Sequence, residues 1–463
     1  MHKFVFFAAG LAVAVTVAEM RAAAPVNVEG FTAVRALGGI DEYRLEANGL
    51  QVLLRPDHSV PVTTLMVTYR VGSRNEVTGT TGATHLLEHL MFKGSEAFND
   101  AKGNSVKQYL ESVGGDYNAT TSIDRTNYFA TVGRANFEGF LAIESDRMRG
   151  IWLRETDRQS EMTVVRNEYE RGENNPIGAL DKEIYATAFQ AHPYHHSTIG
   201  WRSDIEHVPI EKLREFYDTF YWPDNATVTV VGDIEPATAL GLIKKYYGVY
   251  PRAPKPIPEV YTEEPAQTGP RRVIVKRPGQ LGAIIIAHKI CPSVHADFPA
   301  LTVLEGILGE GKGSRLYRAL VDTGLATNAY ASADVARDGG LHEVIVALAP
   351  NAKHEDAEAA ALKEIERVRE EGVTTAEITA AVRRHRTAAL FRRDGTAGVA
   401  SSLNQWIAVG DWTLYVNFDD KLAQVTPADV QRVARTYLAA DLSTTGWFVP
   451  QVPAGGGRPN AKR

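Results

Sequence analysis

The sequence is poor in cysteine: it has a single one, Cys291, among 463 residues. One thiol excludes an intrachain disulfide, so the fold must be stabilised by the burial of apolar side chains. Cys291 directly follows the apolar run 283–290. This position predicts a small buried hydrophobic residue and not a nucleophile.

The sequence also lacks clusters of like-charged residues, and it has no long apolar run after residue 18. The net charge is −6 and the basic residues are scattered, so a nucleic-acid or anionic-membrane surface is not indicated. The apolar stretch 4–18 follows Lys3 and leads into the small residues 22–24. This arrangement predicts a secretory signal peptide over residues 1–24, with an uncleaved membrane anchor as the alternative. We therefore expect an exported, periplasmic protein, tethered to the membrane if the signal is retained.

The length of the chain suits two domains. Strand and helix patterns alternate on both sides of a proline-rich polar stretch that has no apolar period, which is typical of a linker. The predicted division is a signal peptide 1–24, a first domain 30–250, a linker 251–270, a second domain 271–450 and a disordered tail 451–463.

The two predicted domains look like copies of one unit. Both run strand, strand, helix, with residues 85–90 of the first helix corresponding to 302–307 of the second. The second copy lacks both histidines of the first. Chance similarity between two amphipathic helices is the alternative.

His85, Glu88 and His89 form the pattern His-x-x-Glu-His inside the predicted helix 84–92. Residues four apart on a helix lie one turn above each other, so both imidazoles project from one face and suit adjacent positions on a tetrahedral zinc ion. Glu88 lies on the same face and can take a proton from a water at the metal. This is the inverted zinc-peptidase motif. The alternative is that both histidines are ordinary core residues. Their buried polar groups, and that of the glutamate, would then need hydrogen-bond partners other than a metal.

The motif needs a third protein ligand, and the predicted helix 156–171 offers candidates. Glu161 and Glu168 are seven residues apart on one face, and Glu168 lies 79 positions after His89 (168 − 89). A carboxylate here could complete a site of two histidines and one glutamate. From spacing alone, Glu170 and Glu173 remain rivals.

Several segments around these residues resemble the pitrilysin, insulin-degrading enzyme and mitochondrial processing peptidase family of zinc metallopeptidases. Besides the motif and the glutamate pair, they are 82–84, 92–95, 114–120, 192–194, 199–200 and 221–225. The resemblance implies one zinc ion per chain, held by His85, His89 and Glu168. It further implies that Glu88 is the general base and that Glu161 accepts a ligand imidazole N–H. The implied fold is α+β: two homologous domains, each a mainly antiparallel sheet packed with helices, arranged as a clam shell.

The resemblance also implies a substrate-binding strand. Asn118, Ala119 and Thr120 would lie on an edge strand that pairs with an extended peptide, as in β-strand addition. An ordinary paired strand is the alternative.

One departure from the family concerns the second half. Members that bind substrate within one chain carry an Arg and, seven residues later, a Tyr. The aligned positions here are Val321 and Thr327, which are six residues apart because the local stretch is one residue shorter. Arg315, Arg318 and Tyr330 are nearby but do not reproduce the spacing. We therefore expect a hetero-oligomer with a homologous subunit that carries the pair, with a homodimer as the alternative.

Taken together, these features predict a zinc-dependent endopeptidase for peptides or unfolded polypeptides. A non-catalytic binding or assembly subunit of the same fold is the main alternative. A small-molecule metallohydrolase fits the ligands but not the family-like segments around them.

Overall fold

The structure, a computed structural model, describes residues 25–451. The predicted signal peptide lies outside the described residues, as does the predicted tail beyond Gln451. Gln451 itself ends the last strand. No helix within the described part is long and apolar enough to cross a membrane.

The first half is built on a seven-stranded sheet. Its strands are β1 (Phe31–Leu37), β2 (Ile40–Leu45), β3 (Gln51–Pro56), β4 (Val62–Tyr69), β5 (Asp116–Thr121), β6 (Thr126–Gly133) and β7 (Ala226–Gly232). Their order is β1-β2-β3-β7-β4-β6-β5, so β5 is an edge strand. All neighbours are antiparallel except β3 and β7. The helices of this half are α1 (Ala83–Leu90), α2 (Val106–Ser112), α3 (Phe137–Gly150), α4 (Glu155–Glu173), α5 (Pro176–Ala188), α6 (Arg202–His207), α7 (Ile210–Phe220) and α8 (Pro236–Tyr247).

The second half is built on a five-stranded sheet. Its strands are β8 (Arg271–Pro278), β9 (Ala283–Lys289), β10 (Ala326–Ala333), β11 (Leu341–Leu348) and β12 (Ser443–Gln451). Their order is β10-β11-β9-β12-β8, and only β8 and β12 are parallel. The helices are α9 (Phe298–Gly309), α10 (His354–Glu371), α11 (Thr375–Arg392), α12 (Gly395–Val409), α13 (Leu414–Ala423) and α14 (Pro427–Tyr437). Residues 251–270, between the halves, form neither helix nor strand.

The sheets share one topology, which confirms the internal repeat. Strands β3-β7-β4-β6-β5 lie in the same order as β8-β12-β9-β11-β10, with the single parallel pair at the same place. Ala226 and Ser443, the first residues of β7 and β12, are 217 positions apart (443 − 226). The sequence alignment of Glu88 with Glu305 has the same offset. Fold class and duplication therefore agree with the α+β prediction.

The central strands are apolar on both faces because helices cover both faces of each sheet. In β9, Ile284 and Ile286 point into the main core of the second half, while Ile285 points to the opposite side. In β4, Leu65 and Met66 likewise belong to different cores. This accounts for strands that are buried almost throughout and lack the alternation of a half-exposed strand.

The covering helices on one face are exchanged between the halves. Helix α12, from the second half, packs on β4 and β7 of the first sheet. Polar bonds accompany the apolar contacts: Thr68 Oγ1 donates to Asn404 Oδ1 at 2.6 Å, and the hydroxyls of Thr64 and Thr396 are 2.7 Å apart. All four of these side chains are buried. The first half is therefore completed by a helix that comes from beyond residue 394.

Helix α5, from the first half, packs reciprocally on β8, β9 and β12 of the second sheet. Leu180 and Ile184 are fully buried against this sheet. A Cβ atom at Gly446 would lie 2.8 Å from both of these side chains, so the close approach of α5 requires glycine there. The guanidinium of Arg271 donates to the carbonyls of Thr187 and Ala188 at the end of α5, at 2.8 and 2.7 Å.

Three acidic side chains meet beneath α5. Asp181 on α5, Glu343 on β11 and Asp334 are close enough to influence one another's ionisation, and the charge of Asp334 disfavours ionisation of the other two. The hydroxyl of Tyr185 donates to Asp334. Burial, followed by the charge of Asp334, raises the pKa of Asp181 to about 6. Burial likewise raises the pKa of Glu343 and of Asp334. Between about pH 4 and pH 6, Asp181 therefore keeps a proton that the unfolded chain would have lost.

We predict that this cluster makes the protein less stable as the pH rises. A carboxyl whose folded pKa is about 6 and whose unfolded pKa is 3.8 stabilises the fold below pH 3.8 and loses that contribution by about pH 6. The variant Asp181→Asn stays neutral, so its midpoint of thermal unfolding should exceed that of the wild type by a margin that grows from pH 4 to pH 7. We expect the free energy of unfolding of the variant to exceed that of the wild type by about 1–3 kcal/mol at neutral pH. Melting curves of both proteins between pH 4 and 8 check this. Exposed Asp322→Asn is the control and should show no such trend, and a margin independent of pH would contradict the prediction.

Candidate metal site

The motif helix α1 begins at Gly82, where the chain needs a left-handed conformation. The φ angle of Gly82 is 86°, and a Cβ atom there would lie 2.4 Å from the carbonyl oxygen of Ile199. The carboxyl group of Glu76 accepts the N–H groups of Gly82 and Thr84, at 2.8 and 2.7 Å. These bonds satisfy donors that the first turn of a helix leaves free. The start of α1, and with it the direction of the motif, is therefore fixed.

One face of α1 is core and the other carries the motif. The buried face consists of Leu86, Leu87 and Leu90, each with no exposed surface. His85 and His89 lie on the opposite face, with side chains 18% exposed, and their ring centroids are 4.9 Å apart. The spacing predicted this division of the helix.

Helix α4 packs on α1 and brings Glu168 to both imidazoles. Glu168 Oε2 lies 3.7 Å from His85 Nε2 and 3.6 Å from His89 Nε2. One ligand atom from each of the three residues can be chosen so that all lie within 4.8 Å of one another. Among residues 25–451, no other group of His, Cys, Asp and Glu has this property. The structure thus brings the three predicted ligands together.

Glu161 lies behind His89, on the side away from Glu168 and His85. Its Oε2 is 3.0 Å from His89 Nδ1, and it forms an ion pair with Lys93. The hydrogen bond from His89, and after it the contact with Lys93, lower the pKa of Glu161, so it is a carboxylate. As an acceptor it holds the proton on Nδ1 and leaves Nε2 of His89 as a lone-pair donor facing Glu168. Sequence reasoning missed Lys93, although its position four residues after His89 was a signal.

The rival glutamates of α4 point elsewhere. Glu173 pairs with Lys182 and with Arg277 of the second half. Glu170 is exposed and lies 3.5 Å from Arg202. Neither is near α1, so the geometry separates them from Glu168.

The electrostatics of the site favour a cation. Burial, helped by the neighbouring His89, lowers the pKa of His85 to about 4, so this imidazole is neutral and can act as a ligand. Burial also disfavours the charged form of His89. The hydrogen bond to Glu161 and the charges of Glu168 and Glu88 outweigh it, and the pKa of His89 is raised. Three carboxyl groups thus face two imidazoles.

Glu88 shares the cleft with the three candidate ligands. Burial raises its pKa, against a hydrogen bond that Thr121 Oγ1 donates to Glu88 Oε2 at 2.5 Å. A carboxyl with a raised pKa is suited to accept and release a proton. The cleft has a volume of about 560 Å³, and its walls include Phe92, Tyr117 and Asn118. Thr121, which orients Glu88, was not predicted because the contact joins residues 33 positions apart.

The predicted substrate strand β5 lies at this cleft with one edge open. Ser122 N–H donates to the carbonyl of Arg125 at 2.8 Å, which closes the β5–β6 hairpin. Hydrogen-bonded pairs alternate along an antiparallel ladder, so the backbones of Asn118 and Thr120 bond to β6. The backbone N–H and C=O of Ala119 therefore face the open edge, and its N–H is covered by Asn118 Oδ1 at 2.9 Å. The backbone N–H and C=O groups of Tyr117 and Thr121 face the same open edge.

The second half holds an altered copy of the site. With the offset of 217 residues, Glu305 takes the place of Glu88, and His385 takes the place of Glu168. Thr302 and Gly306 replace the two histidines. Burial raises the pKa of Glu305 to about 8. Arg315, near the positions where the resemblance led us to look for an Arg/Tyr pair, is held by Glu377 at 2.8 Å.

Comparisons with known proteins agree with this geometry. The family model described as "Insulinase (Peptidase family M16)" matches residues 51–201, and "Peptidase M16 inactive domain" matches residues 207–384. The zinc protease PqqE of Helicobacter pylori is 31% identical over 408 residues, covering 87% of this chain and 91% of that protein. The boundary between the two models falls within the first half, before its last strand β7.

Solved structures show the same fold. The crystal structure of a protease from Helicobacter pylori superposes with a TM-score of 0.85 and 31% identity, over 89% of this chain and all of that one. The periplasmic protease PqqL of Escherichia coli superposes with a TM-score of 0.73 and 19% identity, over 91% of this chain but 48% of that one. Sequence, topology and site geometry lead to one assignment: the chain belongs to peptidase family M16, the family of insulinase.

Proposed function

We propose that this protein is a zinc-dependent endopeptidase that cleaves extended peptides or unfolded polypeptides. The observation that carries the proposal is the convergence of His85, His89 and Glu168 beside Glu88, in a cleft bordered by the open edge of β5. Relatives named zinc protease support it.

The donor set fits one zinc ion per chain. Two imidazoles and one carboxylate are a ligand set typical of catalytic zinc, which keeps a further position open. His85 is neutral, and Nε2 of His89 is left available by the bond from Nδ1 to Glu161. When bound, zinc supplies Lewis acidity, which activates water and polarises a carbonyl.

The residues of the chain supply the proton transfers. The carboxylate of Glu88 would take a proton from the attacking water and deliver it to the departing amine nitrogen. The hydroxyl of Thr121 would hold Glu88 in the orientation for this transfer. No serine or cysteine nucleophile is required.

Substrate would bind as an added strand on β5. The outward-facing backbone groups of Tyr117, Ala119 and Thr121 offer main-chain hydrogen bonds that do not depend on the substrate's side chains. The incoming strand would displace the amide of Asn118 from the N–H of Ala119. This mode favours extended polypeptides over folded proteins.

A homologous subunit would complete the site. Val321 and Thr327 lie at the positions where the Arg and Tyr of a substrate clamp are expected. The nearby Arg315 forms an ion pair with Glu377. The E. coli protease that this fold matches is about twice as long as the matched region, and its first half has been solved separately. We propose a hetero-oligomer whose second subunit carries the Arg/Tyr pair, with a homodimer as the alternative. The N-terminal sequence further supports an exported, periplasmic location.

The competing proposal is a non-catalytic binding or assembly subunit. The missing Arg/Tyr pair favours it, whereas the intact set of His85, Glu88, His89 and Glu168 favours catalysis.

We predict that Glu88→Gln abolishes peptide hydrolysis but retains zinc. Removal of a general base reduces kcat by at least about 100-fold. Cleavage of an unstructured quenched-fluorescence peptide measures the rate, and metal analysis of the same samples measures the zinc content. Glu170→Gln, an exposed change on α4, should keep the wild-type rate. Turnover that persists in Glu88→Gln would contradict the proposed mechanism. Absence of turnover in every wild-type assembly would favour the binding subunit.

Glu161→Gln should weaken zinc binding by about 10- to 100-fold, because a neutral amide holds the Nδ1 proton of His89 less firmly. Competition with a chromogenic chelator measures the affinity, with Glu170→Gln as the matched control on the same helix. An unchanged zinc affinity would show that Glu161 does not orient His89.

If a partner supplies the clamp, the isolated chain should cleave peptide at least about 10-fold more slowly than the co-purified assembly. Size-exclusion chromatography separates the two forms, and each is assayed at equal zinc content. Equal rates in both forms would remove the requirement for a partner.

A further inference from the structure

We propose that Asp338, in the second half, is a positioning residue for peptide cleavage in the first half. It acts through Arg74 and Asp124 on the turn of the β5–β6 hairpin, which carries the open edge and Thr121. The inference rests on the proposed function and adds to it a role for the half that has no metal-binding triad within the described residues.

The turn, residues 122–125, determines where the catalytic end of β5 lies. Thr121 directly precedes it and donates to Glu88 at 2.5 Å. Ala119, with its outward backbone, lies two residues earlier. A displacement of the turn would therefore disturb the hydrogen bond from Thr121 to Glu88 most and the open edge at Ala119 less.

On its near side the turn is bound by the segment after β4. The N–H groups of Ser73 and Arg74 donate to the carbonyls of Ser122 and Ile123, at 3.2 and 3.0 Å. At Gly72 a Cβ atom would lie 2.3 Å from the carbonyl oxygen of Ser122, so only glycine allows this approach.

On its far side the turn is held by side chains and backbone from elsewhere. Asp124 is 4% exposed, and its Oδ1 accepts the hydroxyl of Tyr194 at 2.7 Å. Its Oδ2 accepts the backbone N–H of Arg337, from the β10–β11 connection of the second half, at 2.9 Å. Arg74 Nε lies 3.5 Å from Asp124.

Asp338 is the anchor for Arg74 on this side. Its carboxylate accepts the guanidinium of Arg74 and lies 3.2 Å from His192 Nε2, while its N–H donates to Tyr194 at 3.3 Å. Arg74 thus lies between the carboxylate of the turn and the carboxylate of the second half.

The connection that presents Asp338 has little freedom. The φ angle of Gly339 is 95°, and a Cβ atom there would lie 2.5 Å from the carbonyl oxygen of Ile290. Asp334 N–H donates to the carbonyl of Leu341 at 3.0 Å and closes the loop. The side chain of Asp338 is therefore offered from a fixed loop, and neutralising it would release Arg74 from the second half.

The test compares zinc-loaded wild type with Asp338→Asn, Arg74→Gln and the double variant, in the full chain with any co-purifying partner. Exposed Asp420→Asn is the matched control, since Asp420 makes no ion pair within residues 25–451. For each protein, kcat and KM are measured with the unstructured peptide, zinc content by metal analysis, and hydrogen exchange over residues 116–133.

We expect Asp338→Asn to keep its zinc and to lose about 10- to 100-fold in kcat, because small misplacements of catalytic groups reduce rates by such factors. KM should change less, because β5 stays paired with β6. Exchange at the turn should accelerate. The double variant should match Arg74→Gln alone, since both changes remove one connection.

Wild-type kcat in zinc-loaded Asp338→Asn, or unchanged exchange at the turn, would overturn the inference. Losses that multiply in the double variant would also overturn it, because Asp338 would then act without Arg74. If Asp338→Asn fails to fold, Arg74→Lys replaces it in the test. This variant keeps the positive charge but loses the planar guanidinium, and we expect the same loss of kcat and the same faster exchange at the turn. A wild type without Glu88-dependent turnover would reject the proposed function instead, and exchange at the turn would then decide the positioning role alone.

Discussion

The reciprocal exchange of α5 and α12 is the constraint on which the rest of this structure depends. Each sheet has one face covered by a helix from the opposite half, so separating the halves would expose apolar strands on both sides. Burial of such faces is the main source of stability in a chain with one thiol. The exchange also sets the β10–β11 connection against the turn of the β5–β6 hairpin. The cleft is thus formed by the first half but held in shape by both.

In the candidate metal site, burial and neighbouring charged groups determine the protonation of the two histidines. His85 is buried and neutral, whereas His89 is linked through Glu161 to Lys93. Each imidazole therefore has one nitrogen left for a cation. Among residues 25–451, Glu168 forms ion pairs only with the two histidines, unlike Glu173, which is bound by two cations. The arrangement explains why the two glutamates seven apart on α4 have different roles.

Local patterns in the sequence predicted the parts of this site that lie on single elements. The spacing of His85, Glu88 and His89 placed them on one face of a helix, and the predicted helices 84–92 and 156–171 correspond to α1 and α4. The exchange could not be predicted, because an amphipathic helix shows which face is apolar but not which sheet it covers. The roles of Thr121 and Asp338 were missed for the same reason: their contacts join residues distant in the chain.

The most direct test of the central claim is a crystal structure of zinc-loaded Glu88→Gln with a bound unstructured peptide. We expect one zinc ion on Nε2 of His85, Nε2 of His89 and the carboxylate of Glu168. We also expect the peptide backbone to be hydrogen-bonded along residues 117–121, with the carbonyl to be cleaved facing residue 88. Zinc bound at other residues, or peptide bound away from β5, would contradict it.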